Sequence, residues 1–206
     1  MKYIKGLIII ISSPSGAGKT TVTKKILKRI KNSYLSVSCT TRTPRNGEVH
    51  GKDYFFISKK KFFNLKKQNK FIESAKVHNN FYGTLKSEVS KANNKNKIVL
   101  LDVDWQGARI LRKKLEINYS IFLLPPSLSS LKKRLIKRHS DNINLALKRF
   151  SLASKDIKHW KEYDYVYIND DLTECVKKIC TKITDIKNEK KYQKKLFSLI
   201  KKLKSK

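Results

Sequence analysis

The nine residues Ser13, Pro14, Ser15, Gly16, Ala17, Gly18, Lys19, Thr20 and Thr21 are the densest run of chemically suggestive side chains in this 206-residue chain. Gly16 and Gly18 let the backbone curl close to a ligand, so that successive N–H groups form a nest for phosphate oxygens. A helix opening at Lys19 adds its positive dipole end to the same place. Lys19 can reach the β and γ phosphates of a nucleotide, and the hydroxyl of Thr20 or Thr21 can hold Mg²⁺. The spacing is tighter than the general G-x-x-x-x-G-K-[ST] pattern, because Ser13 stands in the first glycine's place. A buried strand, two glycines, Lys-Thr and a helix in that order imply a nucleotide phosphate site.

A second apolar run, Ile98-Val-Leu-Leu-Asp102, ends in an acid. A carboxylate at the C-terminal end of a buried strand falls near the same phosphates, which makes Asp102, with Thr20, a candidate metal ligand. Asp104 points to the same side if the extended geometry continues, since side chains alternate along a strand. The competing reading of both aspartates is as caps of the next helix. Elsewhere, Arg42 and Arg45 stand three apart beside Pro44 and can fork onto one phosphate, a contact that suits the planar guanidinium. Tyr54 and Tyr82 can donate phenol hydrogen bonds to that phosphate.

These residues together carry a resemblance. Gly16-Ala-Gly18-Lys19-Thr20, Ser38-Cys-Thr-Thr-Arg42-Thr-Pro-Arg45, Gly47-Glu48, Gly51-Lys-Asp-Tyr54, Tyr82-Gly83-Thr84, Asp102-Val-Asp104-Trp-Gln-Gly107, Arg134, Arg138, Arg149 and Asn169-Asp-Asp171 are similar to guanylate kinases. The resemblance runs from about Gly6 to Ile183. It implies a three-layer α/β phosphate-loop kinase fold with a parallel central sheet, and the reaction ATP + GMP = ADP + GDP. It implies ATP as phosphate donor with Mg²⁺, and places Arg42, Arg45, Tyr54 and Tyr82 around the GMP phosphate. Ser38, Glu73 and Thr84 are assigned to guanine, with Gly83, Asp102 and Asp104 completing the acceptor site. Glu73 is chemically apt, because a carboxylate can accept from guanine N1–H and the 2-amino group together. A mismatched base leaves it unpaired. Arg134, Arg138 and Arg149 are implied as a lid that closes over ATP, with Asn169 near the donor base. Five of the eight arginines, among 48 basic residues, thus fall at implied phosphate contacts. Lysine would serve equally on a solvated face, whereas a fork onto phosphate requires arginine.

Three positions depart from the usual pattern: His139 stands where glycine is usual after Arg138, Phe81 replaces a tyrosine, and Ser74 replaces a larger residue. None removes a group assigned to chemistry. A related kinase with another acceptor is disfavoured by Glu73 and the Arg42/Arg45 element. A non-catalytic scaffold module is disfavoured by the intact phosphate loop.

The elements that must position these groups follow from periodicity. Gly6–Ile11, Ile98–Asp102, Ile121–Leu124 and Tyr163–Asn169 read as strands, and the first three as continuous apolar runs buried on both faces. Helical spacing follows at Lys19–Lys31, Gln106–Lys114, Leu128–Lys137 and Asn144–Lys158. Strands alternating with helices predict a parallel sheet covered on both sides. Residues 36–93, with short strands Tyr54–Ile57 and Phe71–Val77 and polar turns, read as an inserted mixed lobe for the acceptor. The expected division is a core of 4–35, 94–125 and 157–186, the lobe 36–93, a helical lid 126–156, and a basic tail 187–206. Asp171 and Glu174 form a capping box for a last helix.

Composition bounds the rest. The formal net charge is +32 and hydrophobic residues make up 39%, too many for a disordered basic chain. Lysines are scattered along nearly every predicted helix, as on solvated faces, so the charge predicts no specific nucleic-acid partner. Lys2 and Lys5 precede only five aliphatic residues, Leu7–Ile11, too few for a signal peptide or a membrane span. Three cysteines without CxxC spacing fit a reducing, cytoplasmic setting, with Cys175 and Cys180 as buried helical thiols. His50, His78 and His159 read as surface or turn residues. Partners are expected to be GMP and ATP, with no membrane, in a monomer or homodimer. Tyr192, Leu196, Leu199, Ile200 and Leu203 keep helical spacing through the tail, which predicts a terminal helix packing one stripe on the core.

Overall fold

The computed structural model describes residues 6–94, 97–140 and 142–204; Lys2 and Lys5 lie outside them. The first elements are β1 (Leu7–Ser12), α1 (Lys19–Arg29), β2 (Ser33–Leu35), β3 (Cys39–Thr40) and β4 (Phe55–Phe56). Then come α2 (Lys59–Lys67), β5 (Phe71–Val77), β6 (Asn80–Leu85), α3 (Lys86–Asn94), β7 (Ile98–Asp102) and α4 (Trp105–Lys114). The chain continues through β8 (Tyr119–Leu124), α5 (Leu128–Arg138), α6 (Ile143–Asp156), a 3₁₀ helix (Ile157–Glu162), β9 (Tyr165–Ile168) and α7 (Leu172–Lys204).

All six residues of β1 are buried. Because side chains alternate along a strand, Leu7, Ile9 and Ile11 enter one core cluster while Ile8 and Ile10 enter another. The sheet around it is parallel throughout, in the order β2-β7-β1-β8-β9. Val22 and Ile26 of α1, with Val176, Ile179 and Ile183 of α7, cover one face. Ala108 and Leu111 of α4 cover the other. The result is the three-layer α/β arrangement expected, with the C-terminal ends of β1 and β7 opening toward the glycine loop and Asp102.

A second, mixed sheet has the order β4-β3-β6-β5. Phe62 of α2 stacks on Phe71 at 4.7 Å and packs on Phe81, giving this sheet its own small core. Helices α5 and α6 form a third body around Leu131, Leu135 and Ala153.

The sequence expectations fail at four places. The simplest is Cys180, which is half-buried where Cys175 is buried, because it sits at the margin of the core cluster. Strands β2 and β4 are three and two half-buried residues long, too short and too little patterned to read in advance, and Tyr54 and Ile57 fall outside β4. His159 is not a surface residue: it is 8% exposed and stacks on Trp105 at 3.9 Å. The terminal helix does not pack its stripe on the core through the tail. Helix α7 is one rod of 33 residues, about 50 Å long at the usual rise, whereas a six-residue strand spans about 20 Å. The helix outruns the sheet it covers: Ile186 still packs on the core, but Tyr192 and Leu196 are 64% and 36% exposed. The side chains of Leu199, Ile200 and Leu203 lie outside the described residues. Asp171 does cap this helix, its carboxylate accepting from Glu174 N at 2.7 Å. Among the described residues no helix is long and apolar enough to cross a membrane.

Candidate active site

The loop between β1 and α1 takes the conformation its glycines predict. Gly16 and Gly18 have φ of +92° and +97°, a region that side chains avoid. Space is short as well: a Cβ at Gly18 would stand 2.3 Å from Asn169 Nδ2 and force it to shift, and one at Gly16 would crowd Leu131 and Leu135 of α5 at 3.0 Å. Asn169, buried just beyond β9, donates to Ala17 O at 2.7 Å. Arg134 of α5 donates to the same carbonyl at 3.3 Å and to Asn169 O at 3.2 Å. The loop is therefore braced from behind by side chains more than 100 residues away in sequence.

At the loop's end Lys19 Nζ pairs with Asp102 Oδ1 at 2.6 Å and donates to Val103 O at 2.9 Å. Asp102 closes β7, which lies beside β1 in register, Ile11 opposite Asp102. Thr20 and Asp102 line the same cleft, and hydroxyl plus carboxylate is an oxygen set suited to a hard divalent cation that keeps several waters. Asp104 serves as N-cap of α4, its Oδ1 accepting from Gly107 N at 2.9 Å, so the capping reading holds for it. It also faces the cleft.

Across the cleft stands a basic group. Arg42, 8% exposed, donates from Nη1 to Thr43 O at 2.7 Å and from Nη2 to Glu48 at 2.9 Å. Its guanidinium lies over the rings of Tyr54 and Phe56 at 5.5 and 5.7 Å. Glu48 also accepts from the Arg45 backbone N at 2.8 Å, and Arg45 Nη1 lies 3.6 Å from it. Burial, with the neighbouring charge of Arg42, holds Arg45 below its ordinary pKa; burial does the same to Arg149 of α6. A cluster of guanidiniums that disfavours its own charge is a site that gains when an anion enters. Tyr54 and Tyr82 meet edge to face at 6.0 Å beside it, and burial lifts the Tyr54 phenol well above its usual range.

Glu73 lies deeper, on β5, 4% exposed. Thr84 Oγ1 donates to its Oε1 at 2.7 Å, and Ser38 Oγ stands 3.4 Å from Thr84 Oγ1. Burial pushes the Glu73 carboxyl up to about 7, against the pull of the Thr84 hydrogen bond and with a push from Asp104. Pairing in the mixed sheet builds this arrangement, Glu73 opposite Thr84 and Cys39 opposite Gly83.

One cleft of about 380 Å³ joins these parts. Its lining includes Ser13, Pro14, Ser15, Gly16, Gly18, Lys19, Thr20 and Thr21 on one side, and Ser38, Arg42, Arg45, Tyr54, Glu73 and Tyr82 on the other. Asp102, Asp104, Arg134, Arg138 and Arg149 also face it, while Ala17, Gly83, Thr84 and Asn169 stand behind its wall. Three titratable lining residues were given no role at the site from sequence: Glu48, His78 and Asp156. Glu48 could have been found as an acid three residues after Arg45 in a strongly basic chain. His78, in the β5–β6 turn, and Asp156, at the end of α6, carry no local signal.

A parallel sheet with a phosphate loop at its C-terminal edge, facing a second anion subsite across one cleft, defines a phosphate-loop protein built to hold two phosphate-bearing ligands. A guanylate kinase family model matches residues 5–186. Guanylate kinase of Rickettsia prowazekii (strain Madrid E) is 49% identical over 175 residues, covering 85% of this chain and 89% of that protein. Guanylate kinase of Wolbachia pipientis wMel is 45% identical over 179 residues, covering 85% and 88%. The crystal structure of guanylate kinase from Anaplasma phagocytophilum superposes with a TM-score of 0.73 at 35% identity, covering 91% of this chain and 87% of that one. The chain belongs to the guanylate kinase family.

Proposed function

We infer that this protein carries the activity of its family, the ATP-dependent phosphorylation of GMP to GDP. The observation that supports it most is the sharing of one cleft by an intact phosphate loop, a guanidinium cluster and a buried carboxylate. Residues 13–21 hold the phosphates of ATP through backbone N–H groups, and Lys19 exchanges Asp102 for the β and γ phosphates. Asn169 serves the donor site by bracing Ala17. Arg42, Arg45, Tyr54 and Tyr82 take the GMP phosphate, which competes with Glu48 for both guanidiniums. Glu73 accepts from guanine N1–H and the 2-amino group, with Ser38, Thr84, Gly83 and Asp104 shaping the pocket.

A GMP phosphate oxygen then forms a bond to the γ phosphorus as the bond from that phosphorus to the β-bridging oxygen breaks. The acceptor is already an anion at neutral pH, so no general base is required. Catalysis reduces to alignment and charge neutralisation by Lys19, Arg134, Arg138 and Arg149. Mg²⁺ would be held by Thr20 and Asp102, and when bound it supplies further neutralisation of phosphate charge. The lobe 36–93 and the lid 126–156 close on the core of 4–35, 94–125 and 157–186, excluding water as a competing acceptor. Three free thiols, Cys39, Cys175 and Cys180, are in keeping with a reducing cytoplasm.

The test is a coupled ADP-release assay with Mg²⁺-ATP, offering GMP, AMP, UMP and CMP separately. Turnover with GMP far above the others is expected. Equal turnover with AMP would overturn the guanine assignment, and no turnover with any acceptor would overturn the reaction.

A further inference from the structure

We propose that Trp105 and Asp156 are positioning residues for Arg149, an assignment that rests on the reading of the site given above. Arg149 and Asp156 both lie on α6, seven residues apart. Seven residues are nearly two turns, so the two side chains share one face about 10 Å apart along the axis. Both face the cleft. Arg149 has little to hold it in place: its Nε is buried and makes no hydrogen bond among the described residues. Its aim is set by the helix that carries it.

That helix is anchored at its far end. Trp105 Nε1 donates to Asp156 Oδ1 at 3.1 Å. His159, in the 3₁₀ helix that continues α6, stacks on the indole at 3.9 Å with the ring planes 12° apart. His159 Nδ1 lies 2.6 Å from Glu162 Oε1, and Glu162 receives a fork from Arg109 Nε and Nη2 at 2.8 and 2.7 Å. Arg109 returns to the start, its guanidinium 4.8 Å from the centre of the Trp105 indole. Trp105, His159, Glu162 and Arg109 thus close a ring that ties the root of α6 to α4.

Within this ring and its tether only Asp156 faces the cleft, so Trp105 touches neither substrate and acts through α6. A rod fixed at one end turns a small tilt at its root into a displacement at Arg149. A misplacement of about 1 Å in a charge-neutralising group costs up to about a hundredfold in rate.

Steady-state kinetics on the full chain test this, with Trp105→Phe, Asp156→Asn, Arg149→Ala and the double variant Trp105→Phe/Arg149→Ala. Trp105→Phe keeps an aromatic ring but loses the N–H donor; kcat is expected to fall about tenfold with both KM values within about twofold. Asp156→Asn keeps an acceptor oxygen for the indole N–H but removes a charge from the cleft wall, so it should lose less kcat than Trp105→Phe. An equal or larger loss would mean that Asp156 acts by its charge and would overturn its role in the tether. Added to Arg149→Ala, the Trp105→Phe change should cost nothing more, since its effect passes through that arginine. A tryptophan with a merely structural role would show additive losses, and that result overturns the proposal. Should Trp105→Phe lower the melting temperature sharply, Asp156→Ala, which leaves the ring intact, replaces it in the same cycle. Failure of the wild type to phosphorylate GMP would instead sink the reading of the site itself.

Discussion

On the function proposed above, the two sides of the cleft hold phosphate by different physical means. The donor side is contiguous: nine residues in a row, with φ values of +92° and +97° at its glycines, turn their own backbone toward the ligand. The acceptor side is assembled. Its groups come from positions as far apart as Ser38 and Arg149 and are brought together by a short mixed sheet and a helix of the lid. The donor loop carries one lysine, and its rigidity comes from backbone and from the brace of Asn169 and Arg134. The acceptor side carries several guanidiniums that repel one another and are kept in place by Glu48 and aromatic rings. Backbone sites tolerate little change in conformation; side-chain sites depend on each charge and its partner.

The largest expected effect therefore comes from removing the one charge within the phosphate loop itself. Lys19→Ala should lower kcat by at least about a thousandfold, because Lys19 is the one cation within the loop itself, and the lid arginines reach the cleft from another element. The fold should survive, since among the described residues the Lys19 ammonium makes only its pair with Asp102 and a bond to Val103 O. Turnover and a thermal melt on the same preparation check this. A variant that keeps more than a tenth of wild-type kcat would break the contrast drawn between the two sides.

Contiguity also governs what could be read in advance. The phosphate loop was legible because its chemistry lies in consecutive residues and its flanking strand is an unbroken aliphatic run. Strands β1, β7 and β8 were legible for the same reason, and α4 and α5 by their period. The acceptor side was not: Arg42 and Arg45 suggested a phosphate, but Glu73 carries no local mark and was placed only through the family resemblance. Its role depends on pairing opposite Thr84, which is a fact of sheet register. Asp156 and the buried His159 were missed because their meaning lies in contacts across more than 50 residues with Trp105. The tail stripe was misread because periodicity gives a helix a face without saying whether anything lies opposite it.

Next in size is Glu73. Its carboxyl sits at about 7 against an ordinary 4.5, mainly through burial. The folded state thus keeps a proton that the unfolded chain releases, and this group's contribution to stability is full below pH 4.5 and lost as pH rises through about 7. Guanine recognition has the opposite sign, because accepting two donors at once requires the carboxylate. The KM for GMP should rise about tenfold from pH 8 to pH 6, while the KM for ATP changes less. The GMP phosphate itself titrates near 6, so the comparison is with Glu73→Gln, which keeps that ionisation. The variant should lose about a hundredfold in kcat/KM for GMP and show a flatter pH dependence than the wild type. Parallel pH profiles for the two proteins would mean Glu73 does not read the base.

The smallest effect lies at the seam where the two sides meet. Lys24 of α1 pairs with Asp53 of the acceptor lobe at 2.5 Å, Lys24 half exposed and Asp53 almost wholly buried. A pair with one partner in solvent is worth roughly 0.2–1 kcal/mol and weakens with salt. On the proposed function, that modest strength suits a joint that opens to admit GMP. Lys24→Ala should raise the KM for GMP by no more than about fivefold at low salt, leave kcat unchanged, and lose its effect in about 1 M salt. Asp53→Ala should cost more, because the Asp53 carboxylate also accepts from Val49 N at 2.9 Å and so shapes the loop before Tyr54. A kcat above the wild-type value in Lys24→Ala would instead make the seam a latch whose opening, and with it product release, limits turnover.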